Sequence, residues 1–367
     1  MRVSDAAIVA VEAQALQIPT DAPEADGTLE WDSTTMVVVE TRAAGRSGVG
    51  WTYCSAAAAA VVAERLRPAV LGCDALDVPG AWAAMARGIR NDGRPGVVAC
   101  AMSAVETSLW DLKARLLDVS LTGLLGRCRN EVPVYGSGGF TTYDDDRLHS
   151  QLCGWVDQGI GRVKIKIGES DGSREARDVA RMRAARSAVG DRVELFVDAN
   201  GAYTAAQAIR VMRRVEDLDV RWLEEPVSSD DLAGLRLVRE AVDADVTAGE
   251  YGYDLVYFER MCAAEAVDCL QIDVSRCGGI MEFGRAAAVA AAHGLDVSGH
   301  CAPHLHLAVA AATPNLRHVE WFHDHVRIES MLFEGTSDPA GGAIAATDSP
   351  GHGLALRAEV AEGFRVA

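Results

Sequence analysis

The segment "GRVKIKIG" (161–168) places Lys164 and Lys166 two positions apart in a run of β-branched residues. Side chains alternate between the two faces of a strand, so both lysines point to the same face. The intervening positions are Val or Ile, which marks the other face as buried. Lysine is rarely buried without a partner, so the fold must supply groups that face this pair.

Short β-type runs of this kind recur along the chain, roughly every 25 residues, and each is followed by a helical stretch. Eight strands that alternate with helices predict an α/β protein with a parallel sheet, and this number is typical of a closed β/α barrel. Active sites of such barrels lie at the carboxyl ends of the strands, where the polar residues of these runs are found. The eight predicted strands are 132–138, 161–168, 193–200, 220–226, 245–250, 267–273, 295–300 and 316–322.

The first 125 residues have a different pattern, which predicts an α+β unit. The run at 34–41 predicts a strand, and those at 55–72 and 98–118 predict helices. Residues 20–32, "TDAPEADGTLEWD", are rich in turn formers and acids and predict a flexible loop.

Composition excludes several classes of partner. The 367 residues include 35 Lys and Arg against 53 Asp and Glu, a net charge of −18. A surface this acidic repels phosphate backbones and anionic lipids, so we expect neither nucleic acid nor membrane as a partner. No secretory signal or membrane-spanning run is visible, and nine scattered cysteines without a CxxC pair favour free thiols in the cytoplasm.

Three acids end successive predicted strands: Asp198, Glu224 and Glu250 are spaced 26 residues apart. This spacing places three carboxylates side by side on the barrel rim, where their repulsion is relieved by a divalent cation such as Mg²⁺. Acids at strand ends also cap helices or form salt bridges, but three at one spacing favour the metal site. Because Glu225 follows Glu224 directly and only one of them points inward, the residues alone do not choose between the two.

A second group lies on later strands. Asp273 and His300 end the sixth and seventh strands, and Asp273 can fix the His300 tautomer and stabilise its protonated form, as in a general acid/base. A purely structural histidine is the alternative. Glu320 ends the eighth strand beside the first, where a protonated carboxyl could donate a hydrogen bond to a bound anion.

The two lysines would lie across the barrel mouth from this dyad. A second ammonium and a nearby metal ion both disfavour a positive charge, so we expect the pKa of one lysine to fall. A neutral Lys166 would then remove a proton, while a charged Lys164 would hold an anionic oxygen. Two lysines on a solvated edge strand are the alternative, which the apolar neighbours disfavour.

Together these motifs resemble the enolase superfamily, mandelate racemase subgroup. The resemblance spans nearly the whole chain, because "SLWDLKARLLDVSLTGLLG" is similar to the helix that joins the capping domain to the barrel in this superfamily. Each motif is weak by itself, whereas all of them in order are specific. The motifs are Lys164-Ile-Lys166, Asp198-Ala-Asn200, Glu224-Glu225-Pro226, Gly249-Glu250, Asp273 followed by His300, and Glu320.

The resemblance implies a modified TIM barrel, (β/α)₇β, with an N-terminal α+β capping domain. It implies a capping domain over 1–125, a barrel over 126–335 and a segment 336–367 that packs back on the capping domain. It also implies one Mg²⁺ held by Asp198, Glu224 and Glu250, which selects Glu224 over Glu225. A small carboxylate substrate would lose its α-proton, and the resulting enediolate would be stabilised by the metal with Lys164 and Glu320.

Two reactions are compatible with bases on both faces of a substrate. Dehydration of an acid sugar to a 2-keto-3-deoxy acid is favoured, since most members of this subgroup resemble acid-sugar dehydratases. Racemisation or epimerisation of a 2-hydroxy acid by Lys166 and His300 is the alternative. Asn200 shares the parity of Asp198, which predicts a hydrogen bond to the substrate or to a residue around it. Relatives in this superfamily are commonly oligomers, so the resemblance implies a homo-oligomer.

Specificity is expected in the capping-domain loops at 17–32 and 48–55. Three aromatic residues, Trp31, Trp51 and Tyr53, would line a distal pocket or pack between the domains. Outside these loops, Arg276 could pair with a distal carboxylate if the substrate is a diacid, and its role stays open. His323 and His325 follow Glu320 closely enough to reach a substrate, and their roles stay open.

Overall fold

The capping domain begins with a three-stranded antiparallel sheet. A computed structural model describes residues 6–366, and its first strands are β1 (Ala10–Ala25), β2 (Glu30–Ala43) and β3 (Arg46–Tyr53), in that order. The prediction of a flexible loop over 20–32 is therefore wrong. Its residues continue β1 and begin β2, because the turn between the strands needs only residues 26–29, where Asp26 Oδ1 accepts the N–H groups of Thr28 and Leu29.

Helices cover one face of this sheet. The predicted helix at 55–72 is a single helical stretch in three pieces, α1 (Ala57–Val61), a π-helical turn (Val62–Leu66) and α2 (Arg67–Val70). The prediction for 98–118 corresponds to α4 (Val97–Leu116), while α3 (Val78–Gly88) was not predicted. Strand β3 lies so close to α4 that a Cβ at Gly50 would come within 2.4 Å of the Ala104 carbonyl oxygen, so glycine is required there.

Eight parallel strands form the closed barrel, and each predicted run contains one of them. Neighbours in sequence pair in order, and the last strand closes on the first through Val319–Val134 and three further residue pairs. The strands are β4 (Glu131–Gly138), β5 (Arg162–Lys166), β6 (Glu194–Asp198), β7 (Val220–Glu224), β8 (Asp245–Ala248), β9 (Cys269–Ile272), β10 (Asp296–Gly299) and β11 (Leu316–Phe322).

A short helix, α5 (Leu121–Leu125), leads into the barrel, and one helix follows each barrel strand on its outside. A 3₁₀ turn (Glu216–Leu218) precedes β7. This alternation confirms the α/β barrel with its capping domain. The barrel helices are α6 (Asp145–Asp157), α7 (Glu175–Val189), α8 (Ala205–Arg213), α9 (Leu232–Arg239), α10 (Leu255–Ala263), α11 (Ile280–Ala292), α12 (Pro303–Ala311) and α13 (His323–Leu332).

The chain after α13 contacts both parts of the molecule. It contains β12 (Phe333–Glu334), β13 (Ala343–Ala345), β14 (Ala355–Leu356) and α14 (Ala358–Glu362). Strand β13 pairs antiparallel with β4, and the last described residues reach β1, where the Val366 N–H donates to the Ala15 carbonyl at 2.9 Å. The domain boundaries at 125 and 335 stay predictions.

The barrel interior is filled below the rim. Tyr135, Phe196, Trp222 and Cys269 form a buried cluster that closes the barrel from beneath. The polar strand ends therefore lie on a solid apolar floor. All nine cysteines are free thiols. Between residues 6 and 366, no helix combines the length and apolar character needed to cross a bilayer.

Candidate active site

Strand register brings the lysines beside two of the acids. Lys166 pairs with Asp198 across β5 and β6, and Asp198 pairs with Glu224 across β6 and β7. Equivalent positions on neighbouring parallel strands are about 5 Å apart, so the three side chains form one row on the rim. The regular spacing in sequence thus becomes adjacency in space.

The three strand-end acids converge. One carboxylate oxygen of each of Asp198, Glu224 and Glu250 lies within 4.8 Å of the other two, and all three residues are buried. The Oε2 atom of Glu250 is buried without a hydrogen-bond partner, which leaves a lone pair for a cation. An all-oxygen set of this kind matches the ligands that Mg²⁺ prefers, so these residues fit the metal that the sequence predicts.

Glu224 and Glu225 are both buried but have different partners. The Glu224 carboxylate lies 2.5 Å from Lys164 Nζ and accepts the Trp222 indole N–H at 2.9 Å, which holds it in the barrel. Glu225 is also buried, and one of its carboxylate oxygens has no partner. Burial, followed by repulsion from Glu250 and Asp198, raises the pKa of Glu225 well above its usual range.

Lys164 is completely buried among carboxylates. Its Nζ lies 2.5 Å from Glu224, 2.8 Å from Glu320 and 3.6 Å from Asp198. Burial lowers the Lys164 pKa, but the surrounding carboxylates outweigh burial and raise the pKa well above its usual value. Lys164 therefore remains a cation, as the sequence predicts.

Lys166 differs from the expectation of a lowered pKa. Its Nζ lies 2.5 Å from Asp198 Oδ2. Burial and Lys164 both lower the Lys166 pKa, but the Asp198 carboxylate has the opposite effect and leaves this pKa above its usual value. The expectation counted the ammonium neighbour and a metal ion but omitted this direct ion pair, which outweighs the ammonium neighbour. The same Asp198 oxygens are the proposed metal ligands, so the ion pair and a metal compete for them.

The His–Asp dyad is present. His300 Nδ1 lies 2.8 Å from Asp273 Oδ2, so Nδ1 carries the proton and Nε2 faces the barrel mouth. Asp273 is fixed by the backbone N–H and hydroxyl of Ser275, both at 2.7 Å. Burial raises the Asp273 pKa, but His300 outweighs it and lowers the pKa to about 2. Asp273 thus stays ionised and orients the imidazole.

The dyad lies on the opposite side of the barrel from the lysines. In the circular order of eight strands, β9 is four positions from β5, which is half the circle. Lys166 and the dyad therefore approach the barrel mouth from opposite sides, with the three acids on the strands between them. Two proton-transfer groups can then act on opposite faces of one bound carbon atom.

Glu320 does not hold a proton, which corrects the expectation. Ser137 Oγ donates to its Oε1 at 2.6 Å, and the Cys301 N–H donates to Oε2 at 2.9 Å. Burial raises the Glu320 pKa, but Lys164 and His300 lower it well below its usual range. Glu320 is consequently an ionised partner of Lys164.

Two polar residues named from the sequence have structural partners. The Asn200 N–H donates to Asp198 Oδ1 at 2.9 Å, while its side-chain oxygen is buried without a partner and remains free for a ligand. The sequence left the role of Arg276 open, with a distal substrate carboxylate as one possible partner. Its guanidinium lies 3.3 Å from Glu250 and 3.4 Å from Asp273, so it already neutralises acids of the site.

Trp51 and Tyr53 pack between the domains, which is one of the two roles that the sequence left open for them. Trp51 and Tyr53 are buried and both donate to Glu329 Oε1, at 3.1 and 3.3 Å. His304 Nδ1 lies 2.7 Å from the other oxygen of Glu329. This network joins β3 of the capping domain to α12 and α13 of the barrel, so these two aromatics are interdomain contacts.

His323 and His325, whose roles the sequence left open, lie in different environments. His325 is buried, stacks on Tyr53 and accepts the Ala302 N–H through Nδ1 at 3.2 Å. Burial, together with the positive charge of His300, lowers the His325 pKa to about 3, so it is neutral. His323 is partly exposed and lies 3.2 Å from Asp21 of the capping hairpin.

Sequence reasoning missed a carboxyl group in the capping hairpin. Glu24 is fully buried, its Oε2 accepts the Trp31 indole N–H at 2.9 Å, and its Oε1 has no partner. Burial and the nearby Asp324 raise the Glu24 pKa to about 8. Trp31 packs edge-on against Phe140 at the barrel rim, so it contacts the barrel. The signal for this site would have been an acid on the buried face of a strand, and predicting a loop over 20–32 made it impossible to recognise.

It also missed Cys301, whose Sγ lies 3.3 Å from His300 Nε2. The adjacency of the two residues in sequence was the only signal for this contact. Cys301 has a φ of +52°, a conformation that L side chains rarely adopt, and the following Ala302 has a φ of +37°. The backbone immediately after His300 is thus held in an unusual conformation.

Two family models match the chain. "Mandelate racemase / muconate lactonizing enzyme, N-terminal domain" matches residues 7–126, and "Enolase C-terminal domain-like" matches residues 147–360. A mandelate racemase/muconate lactonizing enzyme-like protein from Rubrobacter xylanophilus has a similar structure, with a TM-score of 0.94 and 46% identity. That similarity covers 98% of this chain and 100% of the other.

Curated relatives are enzymes that act on sugar acids. L-talarate/galactarate dehydratase of Salmonella typhimurium is 31% identical over 82% of this chain and 77% of its own. Its crystal structure with Mg and L-lyxarohydroxamate has a TM-score of 0.90 and 28% identity, covering 98% of this chain and 93% of that one. The 3,6-anhydro-alpha-L-galactonate cycloisomerase of Streptomyces coelicolor is 33% identical over 85% of this chain and 86% of its own.

The paired lysines, the three converging acids and the His–Asp dyad occupy one rim, beneath a capping domain whose own family model matches. Both family models and the structural similarity cover nearly the whole chain, and the resemblance inferred from the motifs is confirmed. This chain is a member of the mandelate racemase and muconate lactonizing enzyme family of the enolase superfamily.

Proposed function

We propose that the protein is a Mg²⁺-dependent acid-sugar dehydratase that removes the proton α to a carboxylate and then expels a β-hydroxyl group. The observation that carries the proposal is the placement of Lys166 and the His300–Asp273 dyad on opposite sides of three converging carboxylates. The names of the dehydratase relatives support the substrate class.

The substrate carboxylate would lie between the three acids and Lys164. Mg²⁺ bound by Asp198, Glu224 and Glu250 would supply positive charge for the substrate carboxylate oxygens and would compete with Lys166 for Asp198. Lys164 adds a second fixed cation beside the same oxygens, because Glu320 and Ser137 hold its surroundings in place. Charge that develops on the substrate is therefore met by groups that need no rearrangement.

Lys166 and His300 would carry out the two proton transfers. Neutral Lys166 would accept the α-proton, and the electrons of the broken C–H bond would move into the carboxylate to form the enediolate. His300 in its protonated form would donate the Nε2 proton to the β-hydroxyl, which leaves as water. The enol that results loses the proton of its C2 hydroxyl, gains a proton at the third carbon and becomes a 2-keto-3-deoxy acid. Asn200, with its free side-chain oxygen, would hold a substrate hydroxyl.

A screen of mono- and diacid sugars with Mg²⁺ tests this proposal, with the 2-keto product measured by a carbonyl reagent. We expect keto product from at least one acid, and loss of that product with the Lys166→Ala variant. Absence of product across a library that covers the common stereoisomers would refute the dehydratase.

Two alternatives give different products in the same screen. A racemase or epimerase would exchange the α-proton with D₂O and form no keto acid, since His300 would return the proton. A cycloisomerase is favoured by the names of two relatives, and it would convert a cyclic acid to an isomer of unchanged mass. Mass spectrometry separates dehydration from both alternatives, because only dehydration removes the mass of one water.

A further inference from the structure

One buried side chain at the centre of the site has no part in the proposed reaction. Cys301 Sγ lies 3.3 Å from His300 Nε2, the atom that would transfer the proton. Cys301 and the following Ala302 both have positive φ values, a backbone conformation that L side chains rarely adopt. The hydrogen bond that the Cys301 N–H donates to Glu320 Oε2 helps to keep this conformation.

We propose that His300, Cys301 and Glu320 form a second cation site, which is selective for Zn²⁺ and separate from the three-acid site. One ligand atom from each residue lies within 4.8 Å of the other two, and all three residues are buried. His300 Nε2 is 3.3 Å from the sulfur and 3.8 Å from Glu320 Oε2. Tetrahedral zinc bonds of 2.0–2.3 Å place neighbouring ligand atoms roughly 3.3–3.6 Å apart, so only small shifts are needed.

The dyad already has the arrangement of a zinc-binding histidine. Asp273 accepts the Nδ1 proton of His300, so Nε2 is the nitrogen directed toward Cys301 and Glu320, and zinc would take the place of the proton that Nε2 carries in the charged imidazole. A carboxylate–histidine–zinc triad uses this same outer contact to fix the tautomer and to strengthen the ligand. The feature that suits His300 to acid/base chemistry therefore also suits it to bind zinc.

The chemistry of the ligands separates the two cation sites. Asp198, Glu224 and Glu250 offer oxygen alone, which favours Mg²⁺, whereas nitrogen and thiolate sulfur favour Zn²⁺. A further oxygen borders the second site, since Glu250 Oε2 lies 3.2 Å from His300 Nε2 and has no hydrogen-bond partner. Glu250 also belongs to the three-acid site, so its carboxylate lies between the two cation sites and can contribute an oxygen to either.

Zinc at this position would occupy the Nε2 lone pair. It would therefore switch off proton transfer by His300 while leaving the three-acid site free to bind Mg²⁺. This consequence for activity rests on the proposed function, but the binding of zinc does not depend on it.

The test is equilibrium dialysis of the full chain against ZnCl₂ in a large excess of MgCl₂, with both metals counted. We expect one zinc ion per chain without loss of magnesium. Cys301→Ala and Cys301→Ser should weaken zinc binding at least ~10-fold, the lower bound expected even for disturbing an outer contact of a metal ligand. Cys128→Ala, which removes an exposed thiol, is the matched control and should bind zinc as the wild type does.

Cobalt provides a second readout that needs no variant. Co²⁺ added to the Mg²⁺-loaded wild type should give a sulfur-to-cobalt charge-transfer band, and the Cys301 variants should lack it. The proposal is overturned by any of three results: no zinc uptake, zinc uptake matched by equal magnesium loss, or a wild-type cobalt spectrum without the thiolate band. Unchanged zinc affinity in both Cys301 variants would overturn it as well.

Discussion

At the scale of single residues, the same carboxylates are shared between positive groups. Asp198 pairs with Lys166, and Glu224 pairs with Lys164, although both acids are also proposed metal ligands. Removing one partner of a buried ion pair of this kind is strongly destabilising, because the remaining buried charge has no partner. Substitutions in this row should therefore be isosteric where a metal ligand is being tested.

Lys166→Ala should lower turnover of any substrate found in the screen by ~10²–10⁴-fold, the usual contribution of a general base. The α-proton should also stop exchanging with D₂O on the Lys166 face, as followed by NMR. If exchange continues on that face at the wild-type rate, another residue is the base.

Glu224→Gln should weaken Mg²⁺ binding at least ~10-fold, because it replaces a charged ligand by a neutral amide. Glu225→Gln is its matched control, since the neighbouring residue is equally buried and undergoes the same change from carboxyl to amide. Isothermal titration with MgCl₂ measures both variants. The reverse pattern would assign the ligand to Glu225.

At the scale of elements, the capping hairpin of β1 and β2 is attached to the barrel by polar contacts between residues far apart in sequence. Thr34 donates a hydrogen bond to Asp324, and His323 contacts Asp21. Arg327 donates to the Pro19 carbonyl at 2.7 Å. These contacts place the buried Glu24 of β1 close to the acids of α13, which explains part of its raised pKa.

The raised pKa of Glu24 predicts a pH-dependent stability. The folded-state pKa is about 8 and the unfolded value about 4.5, so the folded protein binds the extra proton between these values. Stability from this group is complete below about pH 4.5 and declines as the pH rises to about 8. Glu24→Gln is neutral in both states, so its stability relative to the wild type should increase over this range by roughly a few kcal/mol.

Thermal unfolding at pH 5 and pH 8 measures this difference. Glu30→Gln is the control, because it lies on the same hairpin with an exposed side chain. If the stability difference between Glu24→Gln and the wild type is the same at both pH values, Glu24 is not protonated in the folded protein.

At the scale of the whole molecule, the capping domain and the barrel share a buried polar network at Glu329. Trp51 and Tyr53 reach this residue from the capping sheet, and His304 reaches it from α12. The C-terminal segment adds a second connection, since Phe364 and Val366 bond to β1. The two domains are therefore joined on more than one side of the barrel mouth.

Magnesium should stabilise the whole fold, because the three acids converge only when the strands are assembled. A ligand at 100 times its dissociation constant adds about 2.7 kcal/mol when it binds the native state alone. The midpoint of thermal unfolding should rise with MgCl₂ and fall again with EDTA. Glu224→Gln should lose most of this response, and an equal rise in that variant would place the ion elsewhere.

Much of the fold and the site followed from local patterns. The period of two placed both lysines on one face, and the repeated strand–helix pattern placed Asp198, Glu224 and Glu250 at one edge. These inferences held because parallel strands end together, so a residue's position along its strand specifies its height in the barrel. The hairpin over 20–32 was missed because its polar composition resembles a loop while its backbone hydrogen bonds form a sheet.

By itself, the sequence determined the barrel, the capping domain and the identity of the residues on the rim, since these depend on periodicity and chain order. Only the tertiary structure decided the pairing of Lys166 with Asp198, the ionisation of Glu320, the burial of Trp51 and Tyr53, and the contact of Cys301 with His300. The physical reason is that charge states and close contacts depend on distances of a few ångströms between side chains. Strand pairing, domain packing and the unusual backbone after His300 set those distances, and no local pattern in the sequence records them.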